Sequence, residues 1–250
     1  MPNYQSSGFL SSIPPVTRNI LFINLIIWLA CYLFRGYDLV NILGLHYIQS
    51  DGFYLYQLIT YMFTHEAFSH LFFNMFALFM FGGVLERNWG PKRFLIYYMV
   101  TGIGAALVQM LVCYLRILSL SKGLPEDALS ALTSGNYNLI AQYMYQYPNM
   151  QSILQMFNTV TIGASGAVFG ILLAFGMLFP NTPLFIIFIP IPIKAKYFVI
   201  GYGLIELFLG ISNRSGDNVA HFAHLGGMLF GIFMILYWRK KDRSNGIYYY

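Results

Sequence analysis

The chain has 250 residues, of which 58% are hydrophobic and only 9% charged, whereas a soluble domain is about half apolar and about a quarter charged. Its apolar residues fall in long blocks that a single water-soluble core does not require, and such blocks read as bilayer spans. The net charge of +5 comes from small Lys and Arg clusters between the blocks instead of a basic stripe, which argues against a nucleic-acid surface. Cys31 and Cys113 each lie inside an apolar block, which argues against a disulfide framework or a cysteine metal site and for a packing role.

The first block runs from Ile20 to Phe34. The bulky Tyr32, Leu33 and Phe34 stand where a cleavable signal would have small residues, so an uncleaved anchor is expected. Leu29-Ala30-Cys31 faintly resembles a lipoprotein processing site, but Trp28 and the apolar continuation after Cys31 oppose that reading. Five further blocks follow, Leu58 to Leu85, Phe94 to Leu115, Ile162 to Phe179, Tyr197 to Ile211 and Val219 to Trp238, each able to cross about 30 Å of hydrocarbon. The sequence therefore predicts an all-α, polytopic bundle of six transmembrane helices over 20–238, preceded by a cytoplasmic segment over 1–19 and followed by a basic tail over 239–250. Between the third and fourth spans, Ser119 to Thr161 is polar and broken by Pro125 and Pro148, the pattern of an interfacial loop with short helices.

Six spans place both termini on one side. The termini and the loops after the second and fourth spans hold ten basic residues, Arg18, Arg87, Lys92, Arg93, Lys194, Lys196, Arg239, Lys240, Lys241 and Arg243; the opposite side holds four, Arg35, Arg116, Lys122 and Arg214. Lys and Arg accumulate on the cytoplasmic side, so both termini are expected there and the second, fourth and sixth spans are expected to start at the outer face.

Polar side chains inside spans are costly and therefore informative, although each alone can be a helix-to-helix hydrogen bond. His70 and Asn74 lie four apart on one face of the second span. The fourth span begins Gly163-Ala164-Ser165-Gly166, followed by Gly170, where a serine among small residues is either packing or an exposed nucleophile. In the sixth span His224, Gly227 and Gly231 share a stripe, and packing it on Gly166 and Gly170 would bring Ser165 toward His224. Depth agrees: Ser165 lies fifteen residues before Pro180 and His224 fifteen before Arg239, ~22 Å each, while Asn74 and His70 bracket that level at ~18 and ~24 Å before Glu86.

A serine hydroxyl needs a neighbouring base, and a neutral imidazole is one near neutral pH, so Ser165 and His224 form a candidate nucleophile and base. No acid stands near His224 on its own helix, which predicts a dyad instead of a three-residue relay. The Asn74 amide, the His70 imidazole and the Ser165 backbone N–H are candidate donors for an oxyanion.

Gly163-Ala164-Ser165-Gly166, the His70-to-Asn74 pair, and Ala223-His224 followed by Gly227 and Gly231 resemble the signatures of the rhomboid family of intramembrane serine proteases, over about Leu58 to Gly231. The resemblance implies a six-helix core, a Ser165–His224 dyad, an oxyanion hole at His70, Asn74 and Ser165, and no metal or cofactor. It also selects His224 over His221 as base, since starting the motif at Ala220-His221 puts His224 and Met228 where glycines belong; His221 is then expected to line the water-accessible approach. Glu86, closing Gly82-Gly83-Val84-Leu85-Glu86, matches a structural feature of the family. Where some bacterial members carry Trp-Arg in the first outer loop, this chain has Tyr56-Gln57, and the long third loop is a second departure.

Glu206, ten residues past Lys196 and ~15 Å deep, is expected to be structural. His46 reads as an ordinary interfacial residue. A zinc-protease motif is lacking, because His65-Glu66 is followed at the fourth place by Ser69. A site below the outer face requires a substrate helix that unwinds, so the expected partners are membrane lipids and transmembrane protein substrates, with small residues near the outer end of the substrate span favouring cleavage. The fifth span, with Gly201 and Gly203, is the expected gate, and the expected location is a cell membrane such as the bacterial inner membrane. Two rivals remain, a catalytically inactive relative that binds membrane clients and a transporter with a polar path. The first would lack the serine or histidine, and the second would need polar groups through the full depth.

Overall fold

The computed structural model describes residues 8–186, 189–212 and 220–244. Arg214, Val219 and the outermost parts of both terminal segments lie outside the described residues. After a short turn at Phe9–Ser12, helix α1 spans Pro15–Leu33, beginning at a proline whose missing N–H costs a helix start nothing. Helix α2 spans Phe68–Trp89, interrupted by a π turn at Leu78–Gly82, and α3 spans Pro91–Leu120. Three short helices follow, α4 over Glu126–Thr133, α5 over Tyr137–Gln146 and α6 over Pro148–Asn158. Then come α7 over Ser165–Leu178, α8 over Ala195–Ser212 and α9 over His221–Ser244. Among the described residues five helices are long and apolar enough to cross a membrane, and α7 is a shorter apolar helix.

The second span starts later than the sequence implies. Leu58 belongs to a turn at Gln57–Thr60 that continues as a 3₁₀ turn at Tyr61–Phe63, and the helix proper starts at Phe68. The apolar run before it is a buried plug, with Tyr61 and Met62 in the central core. The fourth span starts at Ser165 instead of Ile162, because Gly163 takes φ +114°, a conformation that interrupts the chain before the helix. Between α7 and α8 the sequence predicts only a loop. The structure has a two-stranded antiparallel hairpin there, β1 over Pro183–Ile186 and β2 over Ile189–Lys194. Proline is tolerated in such a ribbon because each strand leaves one side unpaired.

Helix α7 is the centre of the bundle, packed by α2, α3, α8 and α9, and every residue from Gly166 to Gly176 is buried. That explains its lack of an amphipathic face: a helix apolar all round is one surrounded by others. The remaining spans turn apolar surface outward, as at Ile26 of α1 and Leu204 and Phe208 of α8, which suits lipid. Helices α4 to α6 form a satellite core around Ala128, Ile140, Tyr143 and Met150.

Three buried acids join elements far apart in sequence. The Glu86 carboxylate of α2 accepts from the N–H groups of Val16 (2.9 Å) and Thr17 (2.7 Å) and from the Thr17 hydroxyl (2.8 Å), capping the start of α1, where helix N–H groups lack intrahelical acceptors. Asp242 of α9 takes a bidentate bond from Arg93 of α3 at 2.6 and 2.9 Å. The third, Glu206, lies at the site described below. At the opposite end Gln57 holds the loop between α1 and α2: its amide nitrogen donates to Ile42 O (3.2 Å) and Gly52 O (2.9 Å), and its Oε1 accepts from His46 N and Tyr54 N, both at 3.2 Å. The His46 ring is 2.8 Å from Asn41 O.

Glu86→Ala strips the acceptor from two buried N–H groups and a hydroxyl. It is expected to destabilise the protein by about 2–3 kcal/mol, read as a lower midpoint of thermal unfolding in detergent; an unchanged midpoint would refute the capping role.

Candidate active site

Two glycines set the loop that delivers Ser165. Gly44 and Gly163 flank a backbone bridge in which Leu45 and Thr161 exchange two N–H···O bonds of 2.9 Å, tying the loop between α1 and α2 to the segment before α7. Gly163 then donates to Tyr61 O at 2.9 Å, and the His70 ring occupies the space where a Cβ on Gly163 would sit. Positive φ and lack of room both require glycine here. Ser165 is the first residue of α7, so its N–H is among the first-turn donors that have no intrahelical acceptor.

His224 approaches from the first turn of α9. Its Nε2 is 2.8 Å from Ser165 Oγ, and its Nδ1 is 2.8 Å from Glu206 Oε2 of α8. The Phe169 ring stacks on the imidazole at 4.1 Å between centroids and 6° between planes. His221 Nδ1 lies 2.7 Å from the same Glu206 oxygen. Glu206, His221 and His224 are all buried.

The two glycine stripes meet at one point instead of along their length. A methyl group on Gly227 would run into the Gly166 carbonyl oxygen, so α7 and α9 touch backbone to backbone there. Gly170 and Gly231 face α3: a Cβ on Gly170 would meet Thr101, and one on Gly231 would meet the Tyr97 hydroxyl, which donates to Gly170 O at 2.8 Å.

Asn74 and His70 lie on the side of Ser165 that faces α2. The Asn74 amide nitrogen donates to His70 O at 3.0 Å and stands 3.3 Å from His65 Nε2, which also accepts from Ala164 N–H at 3.4 Å. Ser165, His224, His70, Asn74 and His221 all line one open cavity of about 1740 Å³ that runs between α2 and α8. The structure thus gathers every candidate catalytic and oxyanion residue named from the sequence, and sets His65, Phe169 and Glu206 beside them.

Sequence reasoning passed over those three for different reasons. His65 stands before the helix that carries His70 and Asn74, outside their helical stripe, and Phe169 is one aromatic among many. Glu206 was visible as a buried charge, yet its partner lies on another helix, so inspecting α9 alone hid it.

The sequence puts no acid near His224 on its own helix, and that holds for α9; the structure adds one from outside it. An acid does touch the His224 ring, contributed by α8. Among the described residues, Glu206, His221 and His224 are the one cluster of three His, Cys, Asp or Glu side chains with ligand atoms within 4.8 Å of one another. The 2.7 and 2.8 Å separations are hydrogen-bond distances, shorter than the roughly 3.3 Å between ligands on a tetrahedral zinc with bonds of about 2.0 Å, so protons suit the cluster better than a metal.

Comparison with known proteins decides the family: the Rhomboid domain model matches residues 52–241. The chain belongs to the rhomboid family. It is 30% identical to RHOMBOID-like protein 12, mitochondrial, of Arabidopsis thaliana over 177 residues, 69% of this chain and 43% of that one. It is 28% identical to Rhomboid protease AarA of Providencia stuartii over 180 residues, 68% of this chain and 51% of the relative. Rhomboid protein 1, mitochondrial, of Saccharomyces cerevisiae is 26% identical over 176 residues, 68% of this chain and 38% of the relative. The chain thus spans roughly half the length of these rhomboid relatives or less. Their names include mitochondrial, chloroplastic and bacterial rhomboids, so membership establishes a multi-pass membrane protein without selecting a membrane.

The backbone contact at Gly227 gives a test. Gly227→Ala is expected to force α7 and α9 apart and cut the labelling rate of Ser165 by a fluorophosphonate at least about tenfold, whereas Gly201→Ala, at a position with open space around it, should leave labelling within about twofold. Equal labelling of the two variants would show that this contact does not set the site.

Proposed function

We propose that this rhomboid is an intramembrane serine endopeptidase that hydrolyses peptide bonds in or near transmembrane segments of other membrane proteins, with Ser165 as nucleophile and His224 as base. The observation that carries the reading is the 2.8 Å approach of Ser165 Oγ to His224 Nε2 from two different helices. In the proposed step Ser165 Oγ attacks the scissile carbonyl while its proton passes to Nε2. The tetrahedral oxyanion is met by the Ser165 N–H, the His70 ring and the Asn74 amide, which exchanges its long 3.3 Å contact to His65 for the oxyanion. Collapse breaks the C–N bond, His224 returns the proton to the leaving amine, and a water activated by the same base releases the acyl chain.

The cavity supports the substrate class. It is walled by Phe73 and Met80 of α2 and by Phe198 and Tyr202 of α8, apolar sides suited to a segment arriving from lipid, and Ser165, His70, Asn74 and His224 also line it. Both helices carry outward apolar surface, and Gly201 of α8 has no neighbour within 4 Å, in keeping with the gate assigned to this helix. Among the described residues, Tyr97 and Thr101 below Ser165 spend their hydroxyls on backbone carbonyls of packed helices, an arrangement that favours a protease over a conducting path. The orientation with cytoplasmic termini belongs to the same proposal and rests on the ten-to-four distribution of Lys and Arg.

Reconstitution with a model transmembrane substrate tests the reading. Ser165→Ala and His224→Ala should fold and lose at least ~10³-fold in kcat/KM, while His221→Ala should stay within about tenfold of wild type. Loss at His221 with retention at His224 would reverse the base assignment, and an inert wild-type chain with an unreactive Ser165 would favour the client-binding alternative. Leucines in place of small residues near the outer end of the substrate span should slow cleavage at least about tenfold, since they hinder its unwinding into the site; undiminished cutting would contradict the unwinding requirement.

A further inference from the structure

Glu206 is the lone acidic residue of α8, it is buried, and the hydrolytic steps above do not use it. We infer that Glu206 is a positioning residue for the base, converting the Ser165–His224 pair into a Ser–His–Glu relay whose carboxylate is supplied by the neighbouring helix. This inference rests on the protease reading.

The ring of His224 is bonded on opposite edges, by Glu206 Oε2 at Nδ1 and by Ser165 Oγ at Nε2, each at 2.8 Å. An ionised carboxylate only accepts, so Nδ1 must carry the ring proton and Nε2 must present its lone pair to the serine. That is the tautomer in which His224 works as a base. The Phe169 face, parallel to the ring at 4.1 Å, opposes rotation out of this plane, so the two partners and the stack define the ring completely. The same Oε2 atom also receives His221 Nδ1 at 2.7 Å. An ionised Glu206 meets both imidazoles as an acceptor, with one lone pair of Oε2 for each Nδ1–H. His221 in turn anchors Glu206 from the base's own helix, one turn before it.

The arrangement also answers an electrostatic problem. When Nε2 accepts the serine proton, an imidazolium forms at a site walled by apolar side chains, where an uncompensated charge is expensive. Glu206 at Nδ1 makes the product of that step a hydrogen-bonded ion pair, lowering the barrier to proton transfer. A purely structural clamp between α8 and α9 would need the contact but would have no stake in which nitrogen of His224 carries the proton.

Glu206→Gln separates the two roles, since it keeps the shape and the clamp but replaces one acceptor with a donor. In proteoliposomes with a transmembrane substrate, the relay predicts a fall in kcat of ~10²–10⁴-fold with KM within about threefold, a parallel slowing of fluorophosphonate labelling at Ser165, and partial recovery in Glu206→Asp. Wild-type kcat in folded Glu206→Gln, beside an active wild type, would overturn the inference and leave the protease reading standing. A wild type that neither cuts nor reacts at Ser165 would instead remove the protease reading and this inference with it. A second measurement needs no Glu206 variant: in wild-type protein carrying ¹⁵N-labelled histidine, with the His224 signals assigned by their loss in His224→Ala, His224 should be protonated at Nδ1. Protonation at Nε2 would overturn the relay.

Discussion

The contact between Gly166 and Gly227 is the constraint on which the site depends. Lipid chains are as apolar as leucine, so helices in a bilayer gain little from burying large side chains against each other and associate instead through close packing and hydrogen bonds. Where both helices carry glycine, backbone meets backbone, and the residues beside that point are brought within reach of one another. Ser165 directly precedes Gly166, and His224 stands one turn before Gly227, so the approach of the two glycines places the hydroxyl and the imidazole at one level. Helix α3 forms the third wall: Thr101 fills the recess at Gly170, and the Tyr97 hydroxyl spans from Gly170 O to the bare face of Gly231.

The buried acids obey a common rule. Each accepts several hydrogen bonds from another part of the chain, because a carboxylate in a low-dielectric interior is tolerable only when its lone pairs are met. Glu86 meets a helix start, Asp242 meets the fork of Arg93, and Glu206 meets two imidazoles. The first two lie toward the ends of their helices and join elements. Glu206 differs because both its partners titrate near neutral pH in water, and one of them touches a serine.

Much of this was legible in the sequence because the bilayer fixes lengths and levels. Counting residues from the charged ends predicted that Ser165 and His224 share a depth, and their hydroxyl and ring are hydrogen-bonded. The spacing of Gly227 and Gly231 after His224 separated it from His221. What counting along single helices does not reach is which side chain of a third helix points at the pair. Glu206 lay in plain view as a charge in an apolar span, but its direction depends on how α8 is rotated against α9. The local breaks were missed for another reason. Gly163 at positive φ delays the start of α7, and the apolar run through Tyr61 and Met62 is buried plug instead of membrane span; hydropathy registers apolarity without telling a protein interior from lipid.

The delayed start of α7 explains why the chemistry sits where it does. Fourteen residues rise only ~21 Å, less than the ~30 Å of hydrocarbon, so α7 is too short to cross alone, and in the proposed orientation its first residue lies beneath the outer surface. Had the helix continued upward through Thr161 and Ile162, the Ser165 N–H would be spent on a carbonyl four residues earlier and the hydroxyl would lie along a packed helix face. Ending the helix at Ser165 leaves that N–H unclaimed, directs the positive end of the helix dipole toward the nucleophile, and frees the volume above it as cavity. The backbone above is then held by other means, through the bridge from Thr161 to Leu45 and the four bonds of Gln57 that fix the loop carrying Leu45. The proposed nucleophile, the proposed oxyanion donor and the cavity beside them thus follow from a single feature, a central helix that begins at Ser165.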